Sequence, residues 1–331
     1  MKTIKNIYKQ YLDKEFLRSY IGQVTNNKPY HKRVMGKLVQ IVEYLYQEFS
    51  KGEFHLKPIR VDIRHDRKKD RDITFSPLFP NKIFDYLLAY PLIPLVKRSS
   101  FYWSIGNIEG KGKDMGVGYV AKNFRKYKYA CHLDIKKFYE NIDKYKLYLN
   151  VRKRIRDKDY LNFYQSVKGS TGKGLELGLA SSQPLSNLFL MDFDYYIKQT
   201  LKIKVYVRSV DDIVIMGNNK MKLLNWIKQM SKYLNGLGLR FKHNWYITDK
   251  RIKFLGYIIT KTHIYLQKVT FHKIGRLWKR MTNHSRKRAK TIISLKGWLQ
   301  ITTNFNQYYL KYLKPIMSFK EIKIIAYGKE N

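Results

Sequence analysis

The chain has 331 residues, of which 66 are lysine or arginine and 25 are aspartate or glutamate, giving a formal net charge of +41. With 44% hydrophobic and 15% aromatic residues it can bury a core, which excludes a disordered basic tail and allows one multi-lobed domain or two to three small ones. So positive a surface calls for an acidic counterpart, nucleic acid before an anionic membrane; the single cysteine, Cys131, excludes an internal disulfide and a cysteine zinc site, and without a secretory apolar region or an apolar run of about 18 residues a soluble, cytoplasmic protein with no membrane partner is expected.

Along the chain, Leu38, Ile41, Val42, Leu45 and Phe49 recur at helical spacing over residues 38–50, and Gly52 follows as a stop. From Lys57 to Arg71 charge dominates while Ile59, Val61 and Ile63 alternate, which reads as a basic strand and turn. Residues 82–97 look like a buried helix interrupted at Pro91 and Pro94, and the five glycines from Gly106 to Gly118 read as a loop. Tyr129, Cys131 and Leu133 alternate with their neighbours, predicting a strand that ends at Asp134, followed by a helix through Tyr139 to Val151. Pro184 starts another helix. The apolar runs Ile203 to Val210 and Ile213 to Met216 meet at Asp211-Asp212, a hairpin with carboxylates at its tip. Residues 221–234 place Leu223, Trp226, Ile227, Met230 and Leu234 on one helical face, and two more strands follow near Leu239–Ile247 and Lys253–Ile259. The order predicts an α+β fold with an antiparallel sheet, and the last 65 residues read as helices studded with lysine and arginine.

Acids are scarce, so their placement is informative. Asp134 ends a predicted strand, and Asp211 and Asp212 sit at a hairpin tip 77 residues later. An isolated Asp-Asp is ordinarily a polar turn. Three acids at strand ends could instead converge on one sheet edge, where they persist only if cations neutralise them. Oxygen ligands of this kind suit Mg²⁺, and two such ions can activate an attacking hydroxyl and stabilise a leaving pyrophosphate. In so basic a chain that combination points to phosphoryl transfer on nucleic acid.

The context of these acids resembles the reverse transcriptase family. Leu133-Asp134-Ile135-Lys136-Lys137-Phe138-Tyr139 is similar to its first palm motif, and Gly178-Leu179-Ala180-Ser181-Ser182-Gln183-Pro184-Leu185-Ser186-Asn187 to its second. Tyr206-Val207-Arg208-Ser209-Val210-Asp211-Asp212 resembles the catalytic hairpin, and Lys253-Phe254-Leu255-Gly256-Tyr257 the turn that grips the primer end. The four stand in the family's order, and the likeness spans roughly residues 35–315.

The resemblance implies a right-hand polymerase with fingers, an antiparallel-sheet palm and a short helical thumb. Its expected divisions are 1–125 for N-terminal helices and fingers, 126–262 for the palm with a finger insertion at about 150–176, and 263–331 for a basic helical thumb. It implies RNA-templated DNA synthesis with two Mg²⁺ ions, Mn²⁺ being an alternative, on template RNA, RNA–DNA hybrid and deoxynucleotides. Asp134, Asp211 and Asp212 become the catalytic acids, with Ile135 beside them in the metal-binding set. Arg71, Phe138, Tyr139, Leu177, Gly178, Ser182 and Gln183 become nucleotide-binding: Tyr139 where the family blocks a ribose 2′-hydroxyl, Gly178 for close backbone approach, Arg71 as a triphosphate clamp. Lys242 is a candidate proton donor to the leaving pyrophosphate. Phe254, Leu255 and Gly256 become the primer grip, and Arg276, Lys279, Arg280, Arg286, Lys287 and Arg288 a phosphate-tracking surface, with Trp278 and Trp298 interleaved.

Leu177 before the glycine, with Ser182-Gln183 after it, resembles the enzymes of prokaryotic diversity-generating retroelements, which copy a template RNA carelessly with the help of a basic accessory protein that binds it. Relatives with glutamine at the position of Leu177 can hold the nucleotide by hydrogen bonding, so Leu177→Gln is expected to raise fidelity. That group usually has asparagine where Leu179 stands, and the hairpin usually carries an aromatic residue where Ser209 stands. Phage-defence reverse transcriptases depart in similar ways, which leaves a defence enzyme, or an inactive RNA-binding scaffold, as alternatives.

Overall fold

A computed structural model describes residues 3–66, 69–283 and 285–328. The chain forms two compact units, one made of Met1–Gly110, Ile135–Thr200 and Met230–Arg240, the other of Lys111–Asp134, Leu201–Gln229 and Phe241–Asn331. Among the described residues no helix is long and apolar enough to cross a membrane.

The first unit is mainly helical. Its core is aromatic: Phe49 packs against Tyr11 at 4.9 Å and Phe163 at 5.0 Å between ring centroids, and Phe54 against Phe163 at 4.8 Å. The helix expected over 38–50 spans Leu38–Lys51 and stops at Gly52, whose φ of +71° only glycine adopts at no cost. The helix of residues 82–97 is not interrupted; it runs Ile83–Ser99 through both prolines. Pro91 has no N–H to offer the carbonyl of Leu87, and the Tyr11 hydroxyl donates to that oxygen instead at 2.8 Å. Tyr20 and Tyr160 likewise donate to the carbonyls of Tyr86 and Leu88, at 2.8 and 2.7 Å. Three phenols from elsewhere in the unit therefore supply partners that a local reading cannot see.

The helix expected from Tyr139 to Val151 is two helices, Phe138–Asn141 and Lys144–Arg154. Asp143 breaks the run because its carboxylate caps the second, accepting from the Lys146 N–H. A further helix, Lys158–Lys168, was not anticipated; Asp157 caps it in the same way. The helix assigned to Pro184 begins two residues earlier, at Ser182, and continues to Tyr195. The basic segment expected to be a strand and turn supplies two strands, β1 (Arg60–Asp66) and β2 (Lys69–Phe75), which pair antiparallel.

The second unit is built on sheets. Strands β3 (Tyr129–Asp134), β4 (Val205–Ser209), β5 (Asp212–Gly217) and β6 (Tyr246–Thr248) pair antiparallel in the order β4-β5-β3-β6. Strands β7 (Arg251–Phe254), β8 (Tyr257–Thr260) and β9 (Ile264–Leu266) form a second antiparallel sheet. Three expectations change here. The glycine-rich loop ends early, since helix Lys113–Phe124 begins inside it; Val117, Val120, Ala121 and Phe124 keep helical spacing and are buried, and the helix packs on β4 and β8. The strand expected over Leu239–Ile247 is reduced to β6. The strand expected over Lys253–Ile259 is instead a hairpin, because Leu255 and Gly256 both take positive φ, +47° and +90°. The C-terminal region is helical as expected, with helices Lys268–Lys279, Arg286–Gln300 and Phe319–Tyr327.

Candidate active site

The register of the four-stranded sheet brings the acids together. Asp134, the last residue of β3, is the cross-strand partner of Asp212, the first residue of β5, and Asp212 is in turn the partner of Ser209 at the end of β4. Side chains on directly opposed residues stand about 5 Å apart at Cβ. Asp211 occupies the turn between the strands. The turn is strained: Val210, a β-branched residue, takes φ +60°. The guanidinium of Arg208, 1% exposed, donates to the Val210 carbonyl at 3.0 Å and holds it there.

Burial, then the neighbouring carboxylates of Asp212 and Asp134, push the Asp211 carboxyl up to about 6. A lysine and an imidazole contact the group. Lys242 pairs with Asp134 through its ammonium, and its backbone N–H donates to the Asp134 carbonyl at 2.8 Å. His132, two residues before Asp134 on the same strand, meets an Asp212 carboxylate oxygen at 3.0 Å through Nε2. His132 is a partner that sequence reasoning missed, although the two-residue spacing to Asp134 places both on one face of β3.

Among the described residues no three acid, imidazole or thiol groups stand close enough to hold an ion together. The donor set nevertheless fits a hard divalent cation: it is made of carboxylates, and their mutual repulsion at Asp211 is what such a charge would relieve.

The primer-grip candidate lies in the same unit. Phe254 is buried, its ring 6.4 Å from that of His132. Gly256 turns directly under Trp298, and the Tyr257 hydroxyl donates to the Trp298 carbonyl at 3.0 Å. The Lys113 ammonium lies 3.0 Å from the centroid of the same indole, and burial lowers that amine to about 8. Of the candidate phosphate-tracking cations, Arg276, Lys279, Arg280, Arg286 and Lys287 are exposed and Arg288 is half-buried. Arg286 and Arg288 spend a donor each on carbonyls, those of Ala326 and Arg280.

In the first unit, a 360 Å³ pocket is lined by Tyr139, Leu177, Gly178, Ser182 and Gln183, five of the seven nucleotide-binding candidates, and by Lys28, Tyr30, Lys82 and Tyr86, which had no sequence signal. Gly178 has φ +102°, and a Cβ there would lie 3.5 Å from the Thr74 carbonyl oxygen. The Thr74 N–H donates to Leu177 at 3.1 Å, tying this loop to β2. The Tyr139 hydroxyl is 3.2 Å from the Ser186 hydroxyl. Phe138 is buried beside Tyr139 and stays out of the pocket lining. Arg71 belongs to the backbone of β2, and its side chain lies outside the described residues.

The pocket loop is anchored by Asp85, which also lines the pocket and which the sequence shows only as part of a helix. Its carboxylate accepts from the Ala180 N–H at 2.6 Å and the Ser181 hydroxyl at 2.5 Å, and pairs with the buried Lys168 ammonium at 3.1 Å. Lys168 also meets Glu176 at 3.2 Å, and the Ser182 hydroxyl donates to the Glu176 carbonyl at 2.6 Å. These ties hold the backbone of residues 176–182 from both ends.

The profile of the family described as reverse transcriptase (RNA-dependent DNA polymerase) matches residues 91–259, slightly more than half of the chain. The chain therefore belongs to the reverse transcriptase family of RNA-directed DNA polymerases. Among solved structures it is similar to apo telomerase from Candida tropicalis, with a TM-score of 0.52 and 11% identity over 88% of this chain and 68% of that one. It is similar also to telomerase from Candida albicans in complex with a fragment of telomeric RNA (TM-score 0.49, 11% identity, 88% of this chain and 65% of that one). A Candida tropicalis telomerase truncated of its C-terminal domain gives a TM-score of 0.46 at 13% identity, over 63% of this chain and 54% of that one. At such identity the likeness is one of fold, the right-hand polymerase fold. No curated protein matches the sequence.

Proposed function

We propose that this chain copies RNA into DNA, with Asp134, Asp211 and Asp212 as its catalytic acids. The observation that carries the reading is the pairing of Asp134 with Asp212 across β3 and β5, beside an Asp211 whose carboxyl is pushed up to about 6. Asp134, Asp211, Asp212 and the backbone of Ile135 would hold the divalent ions. Bound there, Mg²⁺ or Mn²⁺ supplies Lewis-acid stabilisation of the phosphoryl oxygens and lowers the pKa of an attacking primer hydroxyl.

The chain's own residues prepare this chemistry. Arg208 fixes the turn that carries Asp211, so the carboxylate is held before substrate arrives. Lys242 pairs with Asp134 in the metal-free fold and its charge limits the repulsion among the acids, while the His132 imidazole contacts Asp212. The pocket of Tyr139 and Gly178 would receive the deoxynucleotide, the glycine allowing backbone contact and the tyrosine filling the space a ribose 2′-hydroxyl needs. The β7–β8 turn would carry the primer end, and the exposed cations of the C-terminal helices would follow hybrid phosphates. On this reading residues 1–125, 126–262 and 263–331 are fingers, palm and thumb.

Leu177 in the pocket wall supports an error-prone enzyme of the diversity-generating retroelement type, because an aliphatic side chain offers the nucleotide no hydrogen bond. A basic accessory protein would then share the template RNA. Ser209 supports a second reading, a phage-defence enzyme, since it stands beside Asp212 where relatives place a ring.

Primer extension on a defined RNA with Mg²⁺ tests the proposal. Wild-type protein extends the primer and the double variant Asp211→Asn, Asp212→Asn does not. Equal incorporation by both would remove the acids from the mechanism, and equal inactivity would favour a scaffold. Sequencing the products of wild type and Leu177→Gln separates careless from accurate copying.

A further inference from the structure

The C-terminal helices hold a second groove, of about 790 Å³, whose Arg276 and Lys279 the polymerase reading assigns to hybrid phosphates and whose aromatic rings it leaves unassigned. One wall is a face of helix Lys268–Lys279 carrying Phe271, Arg276 and Lys279; the other is carried by Tyr308, Tyr312 and Ile316. Gly275, on the same helix, leaves the groove open: a Cβ there would meet only the Tyr308 hydroxyl, at 3.9 Å. The rings are adjacent without covering one another: Phe271 and Tyr308 are 4.7 Å apart at 49°, and Tyr308 and Tyr312 are 5.4 Å apart at 38°. Tyr312 is 54% exposed and Ile316 39%, so the groove offers ring faces and aliphatic surface to solvent.

Charge decides the occupant. From residue 250 to residue 320 the chain has 17 lysines and arginines and no aspartate or glutamate. Arg276 and Lys279 stand in the groove wall, and neither wall contributes an acid. An apolar protein helix would satisfy the rings and leave the cations unmatched. A duplex would satisfy the cations, but its bases are already stacked on one another. A single strand satisfies both, with phosphates on the cations and unpaired bases on the rings. The volume lies in the range of pockets that hold small organic ligands.

We propose that this groove binds single-stranded nucleic acid by stacking its bases on Phe271, Tyr308 and Tyr312, with Arg276 and Lys279 on its phosphates. No step of catalysis is involved, so the site stands or falls separately from polymerase activity.

The test is fluorescence anisotropy with the full-length protein without Mg²⁺, at a salt concentration high enough to suppress contacts to phosphate alone. The probes are a labelled oligothymidylate, an abasic strand of equal length, the matching duplex, and vesicles of phosphatidylserine and phosphatidylcholine. Tyr312→Ala removes an exposed ring and should weaken oligothymidylate binding about 10-fold, while binding of the abasic strand is unchanged. Photocrosslinking of 4-thiothymidine strands should mark Tyr308 or Tyr312. An equal loss on the abasic strand, an equal loss on duplex, a Tyr312-dependent attachment to vesicles, or no loss at all would each overturn the proposal. Primer extension by the same protein reports separately on the acids.

Discussion

Gly256 turns at φ +90° beneath Trp298, and a Cβ built on it would lie 3.1 Å from the indole ring. Two costs then fall on any side chain at 256: a left-handed backbone, and a tight contact that the indole must shift to relieve. Gly256→Ala should destabilise the protein by about 1–3 kcal/mol. Urea unfolding measures this. Trp298→Leu added to Gly256→Ala should recover the steric part and leave the backbone part, so the double variant should be less destabilised than the sum of the two single ones. Strict additivity would show that the ring is not what the new methyl meets.

Asp85 predicts a larger loss. Its carboxylate receives the Ala180 N–H, the Ser181 hydroxyl and the Lys168 ammonium inside the first unit, and Lys168 is 4% exposed. Asp85→Ala strips a buried cation of one of its two carboxylates and should cost about 3–5 kcal/mol. Asp85→Asn keeps an acceptor for Ser181 and should cost less. Equilibrium unfolding of the two variants checks the order. If the loop of residues 176–182 shapes the nucleotide pocket, Asp85→Asn should also raise the KM for deoxynucleotides more than it lowers kcat.

What was legible in the sequence was what is local. The helix Leu38–Lys51 declares itself by spacing and stops at a glycine, and the hairpin of β4 and β5 lies between two apolar runs with its acids at the tip. What was not legible depends on partners far away in the chain. Pro91 reads as a helix breaker until the Tyr11 hydroxyl is seen on the freed Leu87 carbonyl, 76 residues distant. Asp212 reads as half of an acidic pair, yet one of its carboxylate oxygens meets the imidazole of His132, 80 residues earlier. Asp85 looks like one polar position in a helix, because Ser181 and Lys168 are supplied by later segments. Val210 carries no sign of strain in its identity, since the Arg208 contact that holds it exists only once the turn has formed.

Tyr139 lines the pocket proposed to receive the nucleotide, with its hydroxyl 3.2 Å from the Ser186 hydroxyl. If the ring excludes a 2′-hydroxyl, Tyr139→Ala should raise ribonucleotide incorporation relative to deoxynucleotide incorporation about 10- to 100-fold, the range a steric difference in a pocket commands. Competing primer extension with the two nucleotide pools measures the ratio. Ser186→Ala keeps the ring and frees its hydroxyl, so it should shift the ratio far less. An unchanged ratio in Tyr139→Ala would assign the ring to packing alone.

The last prediction concerns protons and metal at Asp211. Its carboxyl, ordinarily near 3.8, is pushed up to about 6 by burial and by Asp212 and Asp134. A group whose pKa is raised on folding binds its proton more tightly in the folded state. Its contribution to stability is therefore complete below pH 3.8 and is lost as pH rises through 6. In metal-free protein the difference in unfolding free energy between wild type and Asp211→Asn should change across that window by at most about 3 kcal/mol, with wild type losing ground as pH rises. A divalent ion competes for the same oxygens, so Mg²⁺ should raise the Tm of wild type at pH 7.5 and have little effect at pH 5. Asp211→Asn should show neither the pH slope nor most of the Mg²⁺ effect. Thermal unfolding at the two pH values, with and without the metal, reads all four outcomes, and an Mg²⁺ shift that is equal at both would mean that the ion is held somewhere other than Asp211.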